Sequence, residues 1–416
     1  MVRRVVITGV GLLTPLGVGK QASWDALCAG TSVARPITRF ATTDLSTRFA
    51  CQLPEGYEPR EYLDGRLVRS TDPFVQQALV AAQLALLDAG LEVPNDELEA
   101  ERWGVYVGSG LGGVEAFETA SRALVERGPR RVSPYFVPST IANLAAGQIA
   151  IAHGLLGPSF AHVSACASGA HALGDALHTI RRDEADVMLA GASEAAVTPL
   201  SLAGFGAMKA LSRRNDAPER ASRPFAHDRD GFVLGEGAGV LVLEELERAR
   251  RRGAQLYAEV LGFGATSDAH HITQPAPEGR GAARCISNAL RSARIAAADV
   301  DHVNAHGTST PFGDVAETQA IKTALGPRAA EIPITANKSM LGHLLGAGGA
   351  VEAAFTALSL AEQLVPPTIN LEERDPACDL DYVPQHGREL PLRMALCNSF
   401  GFGGTNACLV LSRLST

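Results

Sequence analysis

The stretch Phe160-Ala-His-Val-Ser-Ala-Cys166-Ala-Ser-Gly-Ala170 decides the fold class, because a segment that favours β structure ends there and a helical segment begins. The helical part runs from Ala167 to Arg182, contains no proline and is rich in Ala, Leu and His. This order predicts a strand, a sharp turn and a helix, with Cys166 at the helix N-terminus. There the helix dipole would stabilise a thiolate, and the small neighbouring side chains would let a substrate approach the sulfur.

Outward from this turn, the chain alternates between short apolar runs and longer helical stretches. The apolar runs predict strands at Val5–Val10, Trp103–Val107, Val187–Ala190, Gly239–Leu243, Ala258–Gly262, Val300–Asn304 and Met394–Asn398. The helical stretches predict helices at Trp24–Cys28, Phe74–Ala89, Leu144–His153, His171–Arg182, Arg280–Ala293, Ala316–Leu325 and Ala350–Gln363. Strands interleaved with helices predict an α/β fold with largely buried sheets.

Two segments indicate an internal duplication. Arg4-Val-Val-Ile-Thr-Gly-Val-Gly11 and Tyr257-Ala-Glu-Val-Leu-Gly-Phe-Gly264 are each a strand that ends in Gly-x-Gly. We therefore predict two halves, residues 1–255 with the cysteine and residues 256–416 with the candidate histidines described below. The interface between two such halves is a common place for an active site.

Composition and charge narrow the function classes. The chain has 416 residues, of which 46% are hydrophobic and 20% charged, so it can bury a large core. Aromatic residues make up only 5%, which argues against base-stacking platforms, and the net charge of −8 argues against a general binder of nucleic acid or membrane surfaces. Because the sequence shows neither a signal peptide nor a long apolar run, the expected location is the cytoplasm.

The seven cysteines are scattered without a Cys-x-x-Cys pair, which argues against a disulfide framework and against a zinc site. Free cysteines are most often inert core residues, and this is the interpretation for Cys28, Cys51, Cys285, Cys378, Cys397 and Cys408. Cys166 is the exception because of three segments farther along the chain.

These three segments combine catalytic residue types with glycines: Val303-Asn-Ala-His306-Gly-Thr-Ser-Thr-Pro-Phe-Gly-Asp314, Asn337-Lys338-Ser-Met-Leu-Gly-His343-Leu-Leu-Gly-Ala-Gly-Gly349 and Cys397-Asn-Ser-Phe400-Gly-Phe402-Gly-Gly-Thr-Asn406. A lone histidine is more often structural than catalytic, but a thiol with two histidines has a chemical use. A thiolate can accept an acyl group as a thioester, and two neutral imidazoles could stabilise the enolate that a decarboxylation forms. Backbone amides of the glycine-rich loop could form an oxyanion hole.

With these motifs the chain resembles the elongating β-ketoacyl-[acyl-carrier-protein] synthases, most closely synthase II. The resemblance runs from Val5-Val-Ile-Thr-Gly9 to Phe400-Gly-Phe-Gly-Gly-Thr-Asn406 and includes Ala221-Ser-Arg-Pro-Phe225, Asp230-Gly-Phe-Val-Leu-Gly-Glu-Gly-Ala-Gly239 and Pro366-Pro-Thr-Ile-Asn370. It implies the thiolase fold, a duplicated αβαβα five-layer sandwich with two mixed five-stranded sheets. It also implies a dimer that condenses a cysteine-bound acyl chain with malonyl-carrier protein in a decarboxylative Claisen reaction.

The resemblance assigns the catalytic roles by motif position. Cys166 corresponds to the nucleophile, and His306 and His343 correspond to the pair that supports decarboxylation. Lys338 corresponds to a lysine that acts by electrostatics and positioning, and Glu352 to its ion-pair partner. Initiating synthases carry Cys-His-Asn and thiolases a second cysteine, so the His343 motif matches neither of these relatives.

The resemblance also implies a set of substrate-binding residues. The amide of Phe402 would join that of Cys166 in the oxyanion hole, and the Phe402 ring would gate the acyl pocket. Thr308 and Thr310 would hydrogen-bond the pantetheine arm. Further expected contributors are Leu111 near the pocket floor, Phe400 in the glycine-rich loop, Tyr135 and Phe136 from across the dimer interface, and Thr273 in a second gate loop, Ser267–Pro275, where Asp268 would give structural support.

One segment resembles a nucleotide-binding motif. Gly108-Ser-Gly-Leu-Gly-Gly113 follows a predicted strand and matches the pattern Gly-x-Gly-x-x-Gly. A single match is weak, and no well-placed acidic residue stands about 20 positions on to bind a ribose. The resemblance places this loop at the acyl pocket instead. Neither a bound cofactor nor a metal is therefore expected, and the phosphopantetheine arm would arrive on the acyl carrier protein.

The expected partner is acidic. Acyl carrier proteins carry negative charge, so a basic patch near the entrance is expected despite the net charge of −8. Arg66, Arg69, Lys209 and Arg213 occupy segments where relatives carry docking cations. Single exposed arginines are also ordinary surface residues.

Two departures from synthase II leave the pathway open. Leu341 stands where synthase II commonly has threonine, and Arg69-Ser-Thr-Asp-Pro-Phe74 is less basic than usual. Fatty-acid elongation by a homodimer is the first hypothesis. The second is a ketosynthase of a type II polyketide or polyene pathway, in a heterodimer with a cysteine-less chain-length factor. The third, an inactive scaffold, is disfavoured because all four catalytic residues are present.

Overall fold

The computed structural model describes residues 2–414. Its strands are β1 (Val5–Thr14), β2 (Gly17–Val18), β3 (Arg35–Pro36), β4 (Phe49–Ala50), β5 (Trp103–Gly108), β6 (Ser159–Phe160), β7 (Val187–Glu194), β8 (Gly237–Glu245), β9 (Ala258–Ser267), β10 (His302–Asn304), β11 (Ile334–Thr335), β12 (Leu364–Val365), β13 (Arg388–Glu389), β14 (Met394–Gly401) and β15 (Thr405–Ser412). Its helices are α1 (Lys20–Cys28), α2 (Gly65–Ser70), α3 (Pro73–Ala89), α4 (Glu97–Ala100), α5 (Val114–Arg127), α6 (Phe136–Thr140), α7 (Leu144–His153), α8 (Ser168–Arg181), α9 (Pro199–Ala207), α10 (Leu246–Arg251), α11 (Arg280–Ala293), α12 (Gly313–Leu325), α13 (Lys338–Leu341) and α14 (Gly348–Glu362).

Ten of the strands form two sets of five with the same order and the same directions. The first set runs β6-β5-β7-β8-β1, and the second runs β11-β10-β14-β15-β9. In each set, the first two pairings are parallel and the last two are antiparallel. The second set therefore repeats the first, with β9 in the position of β1. These two strands contain the Gly-x-Gly segments from which the duplication is predicted.

The two sets meet along one seam. β1 and β9 pair antiparallel at Val6 with Glu259 and at Ile7 with Ala258, so hydrogen bonds continue from one set into the other. Beside the seam, the Arg4 guanidinium donates to the Glu259 carboxylate at 2.8 Å. The two predicted five-stranded sheets are thus present, and they are joined at one edge rather than separate.

Two buried helices lie between the sets. α8 packs on β7 and β5 of the first set and on β15 and β9 of the second, and α14 packs on β8 and β14. Every residue of α14 from Gly348 to Leu360 is buried, as expected for a helix that consists largely of Gly, Ala, Val and Leu. α3 covers the outer face of the first set and α11 that of the second. This order of layers confirms the predicted αβαβα sandwich of the thiolase type.

All the predicted strands and helices are present, most of them with ends that move by a few residues. The longest elements that the sequence does not predict are β15, α5 and α9, and the other unpredicted elements are strands and helices of six residues or fewer. In the sequence, the glycines before β15 predict a loop. In the structure they form only a tight turn, in which Gly403 and Gly404 have φ angles of 84° and 71°. The division at residue 255 stays a prediction, and it falls between the end of α10 and the start of β9.

Two further features concern membranes and thiols. Within residues 2–414, no helix is both long enough and apolar enough to cross a membrane. All seven cysteines are free thiols, and only Cys28 among them is partly exposed.

The backbone of β1 touches the backbone of α3. The helix begins with Asp72, whose carboxylate accepts a hydrogen bond from the Phe74 amide, and ends at the left-handed Gly90. At Gly11, an added Cβ atom would lie 1.9 Å from the carbonyl oxygen of Ala81 on the helix. Only glycine allows the helix to lie so close to the strand.

Gly11→Ala should lower the free energy of unfolding by about 2 kcal/mol or more, because the added methyl group would push α3 away from β1. Gly147→Ala is the matched control, since Gly147 lies inside α7 with open space around it. Alanine there should leave the free energy of unfolding unchanged or raise it by about 0.5–1 kcal/mol. Urea unfolding followed by circular dichroism measures both effects, and a Gly11→Ala variant as stable as the parent protein would contradict the close contact.

Candidate active site

Cys166 lies in a strained turn at the start of a central helix. One turn of 3-10 helix around the cysteine continues directly into α8. Ala165 has a φ angle of 48°, in the left-handed region that alanine rarely adopts. The Ser168 hydroxyl closes the turn, because it accepts from the Ser164 amide at 2.9 Å and donates to the Ala165 carbonyl at 2.7 Å. The strand predicted before this turn is the short β6, which ends at Phe160, and a loop over residues 161–164 joins it to the turn.

The turn opens into a cavity of about 560 Å³. Most of the predicted site residues line it: Cys166, His306, His343, Phe400, Phe402, Thr308, Thr310, Thr273, Asp268, Leu111 and Lys209. Residues distant in sequence therefore meet around one space. Cys166 is only 8% exposed, so its thiol is open to the cavity and otherwise enclosed by protein.

His343 lies against the thiol. Its Nε2 atom is 2.9 Å from the Sγ atom of Cys166. Two backbone hydrogen bonds hold the histidine, since its amide donates to the Val233 carbonyl at 2.7 Å and its carbonyl accepts from the Gly235 amide at 2.9 Å. Gly342, just before it, has a φ angle of 70°, and a Cβ atom there would lie 2.9 Å from the Val233 carbonyl oxygen. The turn that presents His343 therefore requires glycine.

His306 follows β10 and faces the same space. The rings of His306 and His343 are nearly perpendicular, with 5.4 Å between their centroids. The Nδ1 atom of His306 lies 3.4 Å from the Nζ atom of Lys338, which donates to Oε1 of Glu352 at 2.5 Å. Both members of this ion pair are only 2% exposed. Loss of either partner would leave an uncompensated charge in the protein interior.

Both histidines are neutral at physiological pH. The pKa of His343 is lowered well below its ordinary value, first by burial and then by the positive charge of Lys338. The pKa of His306 is lowered by burial, by Lys338 and, to a smaller extent, by His343. A neutral imidazole has one nitrogen that accepts a proton and one that donates a hydrogen bond, so each ring is equipped for acid–base chemistry.

The protonation state of Cys166 differs from the thiolate that the helix dipole leads us to expect. Burial raises the pKa of Cys166 to about 12, although Lys338 and the backbone amides of Phe402 and Cys166 act in the opposite direction. Because the effect of burial is the largest, the resting group is a thiol and not a thiolate. Its proton must leave as the sulfur reacts, and Nε2 of His343 is within hydrogen-bond distance of it.

Two backbone amides converge on the sulfur. The amides of Phe402 and Cys166 both face the Cys166 sulfur and lower the pKa of its thiol. The turn between β14 and β15 carries Phe402 and packs closely on the cysteine, since a Cβ atom on Gly401 would lie 3.2 Å from the Cys166 nitrogen. Because the carbonyl oxygen of an attacked thioester lies close to the sulfur, donors beside the sulfur could serve as an oxyanion hole.

The residues expected to bind the pantetheine arm lie on the cavity wall. The Oγ1 atoms of Thr308 and Thr310 are 3.0 Å apart. In the predicted gate loop, the Asp268 carboxylate accepts from the side-chain amide of Asn406 at 2.7 Å and from the Ala276 amide at 2.9 Å. Asp268 thus fastens both ends of the loop that carries Thr273.

Other predicted residues do not line the cavity of the single chain. Lys338 and Glu352 are enclosed behind His306. Phe136 is half-buried, and its ring centroid lies 6.1 Å from that of Phe117. Three of the four candidate docking cations, Arg66, Arg69 and Arg213, are exposed outside the cavity, whereas the exposed Lys209 is part of its wall.

Two buried carboxylates at the site are not predicted from the sequence. Glu317 on α12 accepts hydrogen bonds from the amides of His306 and Gly307, each at 2.8 Å, and so holds the turn that presents His306. Glu194 ends the buried strand β7, and burial raises its pKa to about 7. An acidic residue at the end of an apolar strand is the one sequence signal that points to Glu194.

Cys166, His306 and His343 are also donor types that zinc accepts, and their ligand atoms lie within 4.8 Å of one another. In tetrahedral coordination, however, the sulfur and nitrogen ligands of a zinc ion are about 3.5 Å apart. The Sγ–Nε2 separation of 2.9 Å is instead that of a hydrogen bond. The arrangement fits a thiol–imidazole pair better than a metal site.

Comparisons with known proteins agree with this geometry. Residues 2–249 match the model of the beta-ketoacyl synthase N-terminal domain, and residues 257–372 match that of the beta-ketoacyl synthase C-terminal domain. The chain is 51% identical to 3-oxoacyl-[acyl-carrier-protein] synthase 2 of Vibrio cholerae over 414 residues, which cover 99% of each protein.

Two solved structures are similar over their whole length. One is a type II polyketide synthase acyl carrier protein in complex with its ketosynthase bound to the hexaketide, with a TM-score of 0.92, 35% identity and 100% coverage of both chains. The other is the ishigamide ketosynthase/chain length factor, with a TM-score of 0.92, 36% identity and 100% coverage of both chains.

Alkylation of Cys166 by iodoacetamide should be slow at neutral pH and should accelerate up to at least about pH 10. The thiolate fraction rises about tenfold per pH unit below a pKa of about 12. Lys338→Met should slow the reaction at every pH, because the loss of the positive charge raises the pKa of the thiol further. Peptide mass spectrometry quantifies the label at Cys166, and circular dichroism checks that the variant is folded. A rate that levels off below pH 8 would mean that the thiolate is the resting form.

Proposed function

The chain belongs to the β-ketoacyl synthase family, and we propose that it is an acyltransferase that elongates fatty acyl chains as a 3-oxoacyl-[acyl-carrier-protein] synthase. The reaction is the decarboxylative Claisen condensation of an acyl chain on Cys166 with malonyl-carrier protein. The observation that carries the proposal is the meeting of Cys166, His306 and His343 at one cavity, with their reactive atoms within 4.8 Å of one another. The 51% identity to the relative of that name supports the choice of pathway.

In the first stage, the acyl chain moves from the carrier protein to Cys166. The sulfur attacks the thioester carbonyl carbon while its proton passes to Nε2 of His343, which lies 2.9 Å away and is neutral. The new bond joins Sγ to the acyl carbon, and the bond to the pantetheine sulfur breaks. The departing pantetheine thiolate takes up the proton. The amides of Phe402 and Cys166 stabilise the negative oxygen of the tetrahedral intermediate.

In the second stage, malonyl-carrier protein occupies the same cavity. The bond between its carboxylate and its α-carbon breaks, carbon dioxide leaves, and the electron pair forms an enolate. His306 donates a hydrogen bond from Nε2 to the enolate oxygen, and His343 does the same in the tautomer that carries its proton on Nε2. These hydrogen bonds lower the barrier because the two rings are fixed in place before charge develops. The enolate carbon forms a bond to the acyl carbon on Cys166, and the C–S bond breaks. The released Cys166 thiolate takes up a proton from solvent, and the 3-oxoacyl product leaves on the carrier protein.

Lys338 fixes the tautomer in which His306 can donate a hydrogen bond to the substrate. The ammonium group carries only hydrogen-bond donors, so the Nδ1 atom that faces it at 3.4 Å must be the unprotonated nitrogen of the ring. The proton of the neutral ring is then on Nε2, which can donate to a substrate oxygen. Glu352 balances the charge of Lys338 within the protein interior.

The phosphopantetheine arm of the carrier protein is proposed to bring each thioester into the cavity, so the enzyme needs no bound cofactor of its own. Thr308 and Thr310 would hydrogen-bond that arm from the cavity wall. Leu111 and Phe400 would contact the acyl chain, and the loop with Thr273 would act as a gate. The seven free thiols are consistent with work in the reducing cytoplasm, where we place the protein.

The acyl carrier protein is the proposed delivery partner, and a second copy of the chain is the proposed dimer partner. A similar ketosynthase is described in complex with its acyl carrier protein, which supports the first assignment. Tyr135 and Val137 are 52% and 61% exposed beside Phe136, and such an apolar surface is suited to burial in a dimer. The half-chain boundary at residue 255 is retained as part of this proposal.

The alternative pathways are less favoured. Identity to the polyketide ketosynthases is 35% and 36%, well below the 51% shared with the fatty-acid synthase relative. An inactive scaffold would have no need for a thiol and an imidazole at 2.9 Å or for a buried lysine behind the second histidine.

Incubation with an acyl-acyl-carrier protein should add one acyl group to the intact protein, whereas Cys166→Ala should stay unmodified. His306→Ala should still be acylated, but its condensation with malonyl-carrier protein should fall at least about hundredfold, since the enolate loses one donor. Intact-protein mass spectrometry measures acylation, and product formation measures condensation. A His306→Ala variant that condenses at the parent rate would refute the role given to this histidine.

Replacing both Arg66 and Arg69 by Glu should raise the KM for acyl-carrier-protein substrates about tenfold, because charge reversal on α2 repels the acidic partner. The KM for a small acyl thioester should not change. Arg251→Glu is the matched control, since Arg251 is exposed at the end of α10 and lies outside the cavity wall. Equal effects on carrier-bound and small thioesters would show that α2 does not dock the carrier protein.

A further inference from the structure

Glu194 binds two separate loops through one carboxylate. Its Oε1 atom accepts hydrogen bonds from the Ser109 hydroxyl at 3.0 Å and from the Leu111 amide at 3.1 Å. Its Oε2 atom accepts from the Gly110 amide at 2.6 Å and from the Gly346 amide at 3.0 Å. The side chain is completely buried, so no water competes for these bonds.

The two loops belong to different parts of the site. The first follows β5 and carries Leu111 on the cavity wall, and the second lies between His343 and α14. They pack backbone on backbone, because a Cβ atom on Gly346 would lie 2.3 Å from the Gly110 nitrogen. The carboxylate of Glu194 lies beside this contact, 2.7 Å from where a Cβ atom of Gly110 would be.

The chemistry of the contact requires a carboxylate. Three backbone amides and one hydroxyl point at the same two oxygen atoms. The four hydrogen bonds oppose the effect of burial on the pKa of Glu194, and only the ionised carboxylate, which accepts and does not donate, satisfies all four donors. The amide of glutamine would turn an NH₂ group toward at least one of them. A buried donor without a partner is unfavourable, so the loops would separate or rearrange.

We propose that Glu194 is a positioning residue, which holds the Leu111 loop and the turn after His343 as one unit. Acyl-chain binding on one side and the action of His343 on the other then depend on the same carboxylate. This inference rests on the proposed function for its kinetic consequences and on the geometry alone for its structural ones.

Glu194→Gln should raise the KM for acyl-carrier protein and lower the rate of malonyl-carrier-protein decarboxylation, each about tenfold. Ser109→Ala is the matched control, because it removes a donor from the Leu111 loop and leaves the Gly346 amide bonded to Glu194. It should raise the KM for the acyl substrate and leave decarboxylation unchanged. Gly346→Ala, which forces the loops apart by another route, should reproduce both effects of Glu194→Gln.

Hydrogen exchange of the unliganded protein tests the same inference without activity. In Glu194→Gln, the amides of residues 110, 111 and 346 should all exchange at least about tenfold faster than in the parent. In Ser109→Ala, only the amides of residues 110 and 111 should exchange faster. If Glu194→Gln changes one loop alone, or leaves decarboxylation at the parent rate, the proposed coupling is wrong. If Glu194→Gln does not fold, Gly346→Ala decides by the same two measurements. A parent protein without condensation activity would refute the proposed function, and the exchange data would still decide the role of Glu194.

Discussion

The backbone contact between the N-terminal ends of α8 and α14 sets the position of the reactive groups. A Cβ atom on Gly169 would lie 2.6 Å from the Ala350 nitrogen, and one on Gly349 would lie 2.9 Å from the Ala170 nitrogen. The nucleophile stands just before the first of these helices, and His343 stands just before the turn that leads into the second. Because the residues at the crossing are so small, a thiol and an imidazole that are 177 positions apart in sequence come within 2.9 Å.

The same crossing directs two helix N-termini toward one cavity, and each carries a partial positive charge. Lys338 adds a full positive charge, which lowers the pKa of both histidines and opposes the rise in the pKa of the thiol. Burial nevertheless dominates at the sulfur. The site therefore holds neutral reactive groups in a positive field, and that field favours the negative charge that develops on sulfur and on the enolate during the reaction.

Much of the fold and of the candidate site can be predicted from the sequence, for reasons that differ between residues. The central strands and most of the long helices follow from local periodicity, whereas most of the short elements do not. Cys166, His306 and His343 follow from motifs that are continuous in the chain. Glu194 and Glu317 cannot be predicted in this way, because their partners are backbone amides of other segments and leave no residue pattern. The protonation state of the thiol is equally hidden, since it depends on how tightly distant elements enclose it.

The buried ion pair connects the fold to the chemistry. An isolated lysine in this interior would be strongly unfavourable, but a lysine with a carboxylate partner forms a pair with no net charge and a defined orientation. Glu352 belongs to α14, and its backbone carbonyl also accepts a hydrogen bond from Asn304 on β10, two residues before His306. The helix that fixes the crossing thus also fixes the counter-charge and the strand that presents the second histidine. Any change that moves α14 must therefore alter the distance between the reactive groups and the field around them together.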